Sequence, residues 1–178
     1  MSSIMIPITI TTNGVDQISF VTLSGLDKYN KIPDTDTLVD GSFFGTHNGF
    51  KFRITNRGGY FCGYILIGNI PQLQNIFSEM ICEDDEFENF INEKIYAYQG
   101  ITYISANRNV IGFDCAHLTD IIVKNKKIQS MHCPHNATYK TYSFVRNQCV
   151  KTIDSIIEFW QKSMQDYAHG TNQTQVVV

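Results

Sequence analysis

Alternating apolar and polar positions in the first third of the chain predict two antiparallel β-hairpins. Residues 6–12 and 16–23 are rich in β-branched side chains and are joined by an Asn-Gly dipeptide, which is typical of a two-residue hairpin turn. Residues 50–55 alternate Phe and Ile with Lys, Arg and Thr, and a turn containing Gly-Gly leads to the almost wholly apolar residues 60–67. The second of these hairpins therefore contains a central strand.

A third strand pair is predicted in the middle of the chain. Residues 94–105 and 108–116 are both apolar or aromatic and are separated by Ala106-Asn107. Residues 24–48 form a Gly- and Asp-punctuated segment that is long for a loop of a small domain, so we expect short strands or a functional loop there.

Two segments show the helical period instead. Apolar residues recur every three to four positions over 142–168, which predicts one long amphipathic helix that Gly170 ends. A shorter helix is predicted over 83–93, beginning at a run of acidic residues.

These elements together predict an α+β fold in which a mostly antiparallel sheet is covered by the long C-terminal helix. A chain of 178 residues fits one domain, predicted over 1–170, with a flexible tail over 171–178.

Composition narrows the classes of function. The net charge is −3, with 14 Lys and Arg against 17 Asp and Glu, so no general nucleic-acid binding is expected. No stretch is long and apolar enough to span a membrane, and the N-terminus lacks the basic region of a signal peptide. Five cysteines without a Cys-x-x-Cys pair favour reduced thiols in a cytoplasmic setting. No cofactor-binding motif is present, so no cofactor is expected.

The densest group of reactive residues lies in the segment VIGFDCAHLTD, residues 110–120. Strand alternation places Cys115 and His117 on one face and Asp114 on the other, unless the chain turns near Ala116. A Cys beside a His is one way to make a thiolate nucleophile, and Asp120 or Asp114 would support the His. Two alternatives stay open: acid–base chemistry by His and Asp without the thiol, and a buried Cys with a His that caps a strand end.

A metal site that includes the segment 131–135 is a weaker alternative. The spacing is not that of a zinc finger or ribbon, and an exposed polar loop is the better explanation of the segment. The ligands of such a metal site would be Cys115, His117, His132, Cys133 and His135.

A third possibility is a ligand-binding site that needs no net basic charge. Aromatic rings can stack on a base while Arg or Lys holds a phosphate. For each residue alone, ordinary packing or solvation is the simpler explanation. The candidate residues are Tyr64, Tyr98, Thr102, Tyr103, Arg53, Arg108, Lys140 and Arg146.

In addition, the order of motifs resembles an uncharacterised family of small proteins encoded by bacteriophages and prophages. Its pattern is C-G-Y-V, then H-G-G-[LI]-T-[YF], then G-F-D-C-A-H with a nearby Asp, then Y-R-x-x-x-Y-V. The corresponding segments in this chain are 62–65, 100–103, 112–117 with Asp120, and 139–145, within a match over about 49–160. The chain departs from the pattern at Tyr98-Gln99, where the family has His-Gly.

This resemblance implies a viral origin and a shared fold. We therefore expect one of two functions. The first is a small viral accessory protein, in the host cytosol, that binds or sequesters a small nucleotide-like ligand or a host protein to counter antiviral defence. The alternative is a small hydrolase or transferase that uses Cys115 and His117 with an Asp. Either is compatible with an oligomer.

Overall fold

An antiparallel sheet of six strands is the centre of the fold in the computed structural model, which describes residues 5–79, 84–129 and 136–171. The strands are β1 (Met5–Thr12), β2 (Val15–Thr22), β3 (Thr37–Val39), β4 (Ser42–His47), β5 (Phe50–Asn56), β6 (Phe61–Leu66), β7 (Tyr103–Ile104), β8 (Val110–Asp114), β9 (Val123–Lys124), β10 (Lys127–Ile128) and β11 (Tyr139–Lys140). The α-helices are α1 (Pro71–Glu79), α2 (Asp84–Lys94) and α3 (Tyr142–Thr171), and short 3₁₀ turns span Leu23–Tyr29 and Ile67–Asn69.

The six-stranded sheet has the order β3-β4-β5-β6-β8-β7, and its two faces differ. On the inner face, Phe50, Phe52 and Ile54 of β5 are at most 1% exposed, whereas the residues between them are exposed or half-buried. Helix α3 lies on this inner face. A Cβ atom at Gly63 of β6 would come within 2.7 Å of Cys149 Sγ in α3, so the absence of a side chain lets the helix approach the sheet closely.

A second sheet has three strands in the order β11-β1-β2. The β1–β2 hairpin turns at Asn13 and Gly14, whose φ angles of 51° and 77° are the positive values that a two-residue turn requires. On its other edge β1 pairs with β11 in parallel, with Ile8 opposite Tyr139. Two strands far apart in the sequence are thus neighbours in this sheet.

Helix α3 confirms the long C-terminal helix predicted from the sequence. Its buried stripe consists of Val145, Cys149, Ile153 and Ile156, each 0% exposed, at the expected spacing of three and four residues. The side chain of Thr141 accepts a hydrogen bond from the backbone N–H of Phe144 and so caps the first turn.

The shorter helix predicted over 83–93 is confirmed as α2. It packs beside α1 through the edge-to-face rings of Phe77 and Phe87, whose centroids are 5.7 Å apart, while Phe159 of α3 stacks on Phe77. The α+β prediction is therefore confirmed, and one hydrophobic cluster extends from Ile6 to Ile156.

Two strand predictions need correction. Residues 94–105 are not one strand, because α2 continues to Lys94 and the chain then turns with positive φ at Gln99 and Gly100, leaving β7 with only two residues. The strand predicted over 108–116 ends at Asp114. By contrast, the segment 24–48 does contain short strands, β3 and β4, as expected.

Among the described residues, no helix combines the length and the apolar content that crossing a bilayer requires. The host-cytosol location remains a prediction. The tail predicted over 171–178 begins inside α3 at Thr171, and residues 172–178 lie outside the described part of the chain.

Candidate functional site

The chain turns immediately after β8, and this turn brings His117 and Asp120 together. The backbone N–H of Asp120 donates to the carbonyl of His117 at 2.9 Å. The Asp120 carboxylate then folds back, so that its Oδ2 atom accepts the His117 backbone N–H at 3.0 Å and lies 3.1 Å from Nδ1 of the imidazole. The sequence did not decide whether the chain turns near Ala116, and the structure shows that it does.

Asp120 is a buried carboxylate with partners on both oxygens. Its side chain is 0% exposed, and its Oδ1 atom accepts the hydroxyl of Tyr98 at 2.7 Å. The ammonium of Lys140, whose side chain is only 9% exposed, lies 3.4 Å from the same oxygen. A buried carboxylate is stable when it is paired and hydrogen-bonded, and Asp120 meets both conditions.

Lys140 enters this cluster from β11. It donates to the Oγ1 atom of Thr138, which also shares a hydrogen bond of 2.6 Å with Thr9 of β1. The ammonium lies 5.9 Å from the ring centroid of Tyr98 and 5.6 Å from that of Phe144, so aromatic faces surround the cation.

The hydrogen bonds of His117 determine which ring nitrogen faces outward. An ionised Asp120 can only accept, so Nδ1 carries the hydrogen and the lone pair of the neutral ring is on Nε2. None of the described residues hydrogen-bonds to Nε2, and the side chain is 23% exposed. An imidazole held at Nδ1 by a buried Asp, with Nε2 open, is the arrangement of a general base.

Tyr98 connects the aromatic core to this centre. Burial raises the pKa of its hydroxyl above the ordinary value, and the hydrogen bond to Asp120 raises it further. The hydroxyl accepts a hydrogen bond from Gln99, and the ring packs edge-on against His117 and Phe144. Tyr98 is therefore a neutral donor that holds Asp120 in place.

We define the His117 centre as His117, Asp120, Lys140, Tyr98 and Thr138. Four of these residues were singled out from the sequence, although Tyr98 and Lys140 were assigned to ligand binding. Thr138 was missed, and a signal for it existed, since positions two apart on a strand share a face and Lys140 follows it by two.

The other two reactive residues of the VIGFDCAHLTD segment do not join the centre in this way. Cys115 is 1% exposed, and burial, together with the charge of Asp120, raises the pKa of its thiol well above the usual value. Such a thiol is a poor nucleophile. Asp114 lies at the end of β8, where its carboxylate accepts the backbone N–H of Ala116 at 2.9 Å.

Three of the predicted ligand-binding residues meet on the outer face of the six-stranded sheet. The register places Arg53, Tyr64, Gly112 and Tyr103 in one row across neighbouring strands. The guanidinium of Arg53 lies 4.5 Å from the ring centroid of Tyr64, and the ring of Tyr103 meets that of Tyr64 edge-on at 5.4 Å. Tyr103 is 45% exposed, whereas Tyr64 is buried beneath its neighbours.

The remaining predicted ligand-binding residues lie elsewhere. Arg108 covers the ring of Phe87 at 4.1 Å and donates to the carbonyl of Phe77. Thr102 is exposed and donates its backbone N–H to Gly112. Arg146 forms a two-pronged pair with Asp36 near the start of α3.

The metal alternative depends on His132, Cys133 and His135, which lie outside the described residues. Within the ranges that the structure describes, no three His, Cys, Asp or Glu side chains are grouped so as to hold a metal ion.

The fold and the His117 centre define an α+β protein with a buried Asp–Lys pair beside a partly exposed His. Nothing matches this chain in comparisons with protein-family models, curated proteins and solved structures.

Proposed function

We propose that the protein is a small acid–base enzyme of the hydrolase or transferase class, with His117 as its general base. The observation that supports this most directly is the geometry of His117: Nδ1 faces Asp120 at 3.1 Å, and Nε2 makes no hydrogen bond to any described residue. The first requirement of a general base is that its free nitrogen lies within reach of the water or substrate hydroxyl that loses the proton, and this orientation leaves Nε2 accessible.

In this proposal, Nε2 of His117 removes the proton from an attacking water or substrate hydroxyl and later returns it to the leaving group. Asp120 orients the ring and stabilises the imidazolium formed in between. Lys140 offsets the charge of Asp120, so the buried carboxylate has a counter-charge within the centre. Cys115 takes no part, since its thiol is buried and its pKa is raised.

The substrate class in this proposal is a small nucleotide-like molecule. The support is the resemblance to phage proteins together with the absence of net basic charge, which disfavours long polyanions. A viral accessory role in the host cytosol is part of the same proposal.

A second candidate is the sequestering function, in which a ligand is held and not converted. It is favoured by the row of Arg53, Tyr64 and Tyr103 on the outer sheet face. Arg53 stacks on Tyr64, and its buried Nε atom has no hydrogen-bond partner within the described part of the chain. Tyr103 leaves an aromatic face open to solvent.

One experiment separates the two candidates. The protein is incubated with nucleoside monophosphates and cyclic nucleotides, and the mixture is analysed by mass spectrometry before and after heat denaturation. The acid–base proposal expects new products with the unmodified protein and with Cys115→Ala, and a loss of at least about 100-fold in turnover with His117→Ala.

The matched control is His47→Ala. His47 also pairs with an Asp, at 2.7 Å from Asp154, but lies at the end of β4 outside the His117 centre, so this variant should keep full turnover. Ligand that returns chemically intact on denaturation would support sequestration instead. Equal turnover in His117→Ala and the unmodified protein would refute a role for His117 as base.

A further inference from the structure

A cleft of about 380 Å³ lies where the start of α3 meets the β1–β2 turn and the segment after the first 3₁₀ turn. We call it the Lys31–Arg146 cleft, after the two cations that line it. Its volume is at the lower end of the range for small-molecule sites. It shares no lining residue with the His117 centre, so a ligand bound in the cleft would be additional to the acid–base function proposed for His117.

Two cations line this cleft. Among the described residues, the lining includes Lys31 and Arg146 but neither Asp nor Glu, although Asp36 pairs with Arg146 and Asp16 accepts a hydrogen bond from Asn147 behind the lining. Lys31 is exposed and forms no ion pair or hydrogen bond with any described residue. An anionic group that entered the cleft would therefore meet a cation without a competing internal partner.

Arg146 is held in a fixed position at the cleft. Its Nε and Nη2 atoms donate to the two carboxylate oxygens of Asp36 at 2.9 and 3.1 Å, and the hydroxyl of Tyr142 donates to the same carboxylate at 2.7 Å. A guanidinium has five N–H groups, so this pairing leaves further donors. The side chain is 29% exposed, and the ion pair spares a ligand the cost of ordering it.

The remaining lining adds amide groups and an apolar wall. Asn13 and Asn147 can donate or accept hydrogen bonds, while Ile32 and Val150 provide apolar contact. A ligand complementary to these groups has one anionic end and a compact, partly apolar body with polar edges.

We infer that the Lys31–Arg146 cleft binds a small organic phosphate of the size of a nucleoside monophosphate. Lys31 and the unpaired donors of Arg146 contact the phosphate, and Ile32 and Val150 contact the body of the ligand. The volume does not favour a dinucleotide or an oligonucleotide.

Isotope-labelled protein titrated with AMP, inorganic phosphate and adenosine, each followed by amide NMR shifts, tests this inference. AMP should shift the amides of Asn13, Gly14 and Ser143 and should bind more tightly than either fragment alone, because it satisfies both halves of the cleft. Phosphate binding as tight as that of AMP would overturn the inference for organic phosphates, and AMP that shifts none of these amides would overturn it altogether.

Charge variants make the test specific. Lys31→Gln should weaken AMP binding about tenfold, the loss expected for one charge-assisted contact. Lys28→Gln is the matched control, since Lys28 is a nearby exposed lysine that lies over the ring of Tyr29 and does not line the cleft, so this variant should bind as the unmodified protein does. Equal affinity in both variants would overturn the assignment of Lys31.

A third variant separates this inference from the proposed function. His117→Ala should leave AMP affinity unchanged, because the cleft and the His117 centre share no residue. If His117→Ala abolishes AMP binding, the ligand site is the His117 centre and the cleft inference is wrong. If turnover is absent but AMP binds in the cleft, the acid–base proposal fails and the cleft inference stands.

Discussion

The hydroxyl of Tyr98 donates to the carboxylate of Asp120 at 2.7 Å, on the opposite oxygen from the one that faces His117. The two residues come from different loops, one after α2 and one after β8. Tyr98 therefore holds the carboxylate that hydrogen-bonds to the imidazole of His117.

Removing that hydroxyl should cost stability without disturbing the packing. We expect Tyr98→Phe to lower the free energy of unfolding by about 1.5–3 kcal/mol, the range for a hydrogen bond to a charged group. Urea denaturation measures the loss. Tyr103→Phe is the matched control, because Tyr103 is 45% exposed, and it should change stability by less than about 0.5 kcal/mol. Equal effects in the two variants would contradict a stabilising role for the Tyr98 hydroxyl.

Neutralising Asp120 should be more costly. Asp120→Asn leaves the buried Lys140 without its counter-charge, and breaking a buried pair in this way lowers the free energy of unfolding by about 3–5 kcal/mol. Asp114→Asn, which affects a carboxylate that caps one backbone N–H, should cost about 1 kcal/mol or less.

A double variant shows whether the loss is electrostatic. Adding Lys140→Met to Asp120→Asn should recover part of the stability, since the uncompensated charge is then gone. A double variant whose loss of unfolding free energy equals or exceeds the summed losses of Asp120→Asn and Lys140→Met alone would contradict the pairing.

The Cys115 thiol should resist alkylation in the folded protein. Burial keeps the thiol from both solvent and the thiolate form, because its pKa is raised. We expect iodoacetamide at about pH 8 to label Cys115 at least about 100-fold more slowly in the folded protein than in urea, as measured by peptide mass spectrometry. Fast labelling of the folded protein would contradict this expectation and would support a role for Cys115 as nucleophile.

The close approach of α3 to β6 should make Gly63 intolerant of a side chain. A Cβ atom there would lie 2.5 Å from the ring of Phe113 and 2.7 Å from Cys149 Sγ, both buried. Gly63→Ala should therefore cost about 1–3 kcal/mol through overpacking, and Cys149→Ala in the same chain should relieve part of the strain. Thermal denaturation of the single and double variants is the measurement, and a neutral Gly63→Ala would show that the helix can move away.

Buried tyrosines should make the protein lose stability in alkali. Burial raises the pKa of Tyr139 to about 12, whereas the unfolded chain has the ordinary value of 10.0. Below pH 10 both states keep the proton and the full stability is present. Between about pH 10 and pH 12 only the unfolded state loses the proton, so the free energy of unfolding falls as the pH rises.

Urea denaturation at intervals from about pH 9 to pH 12 measures this loss. Tyr139→Phe should show a shallower fall than the unmodified protein, although Tyr98 and Tyr142, whose pKa values are also raised, still contribute. Identical slopes in the two proteins would contradict the assignment to Tyr139.

Local patterns predicted the hairpins and α3, because an Asn-Gly turn, strand alternation and a helical period each act over a few residues. The prediction of a strand over 94–105 was wrong. The aromatic content of this segment favours β-structure, but contacts with distant residues hold most of it as a loop. For example, the backbone N–H of Tyr96 donates to the hydroxyl of Ser155 in α3. The pairing of Lys140 with Asp120 could not be predicted, because it depends on a parallel bridge between Asp120 and Thr138, two residues that are distant in the sequence.

The parallel pairing of β1 with β11 also has a consequence for synthesis. A chain leaves the ribosome N-terminus first, so β1 and β2 emerge as an isolated hairpin with one edge of β1 unpaired until Tyr139 and Lys140 have been translated. Lys140 of β11 also supplies the ammonium that pairs with Asp120. Assembly of the His117 centre therefore waits for the synthesis of β11, which closes a sheet that β1 began more than a hundred residues earlier.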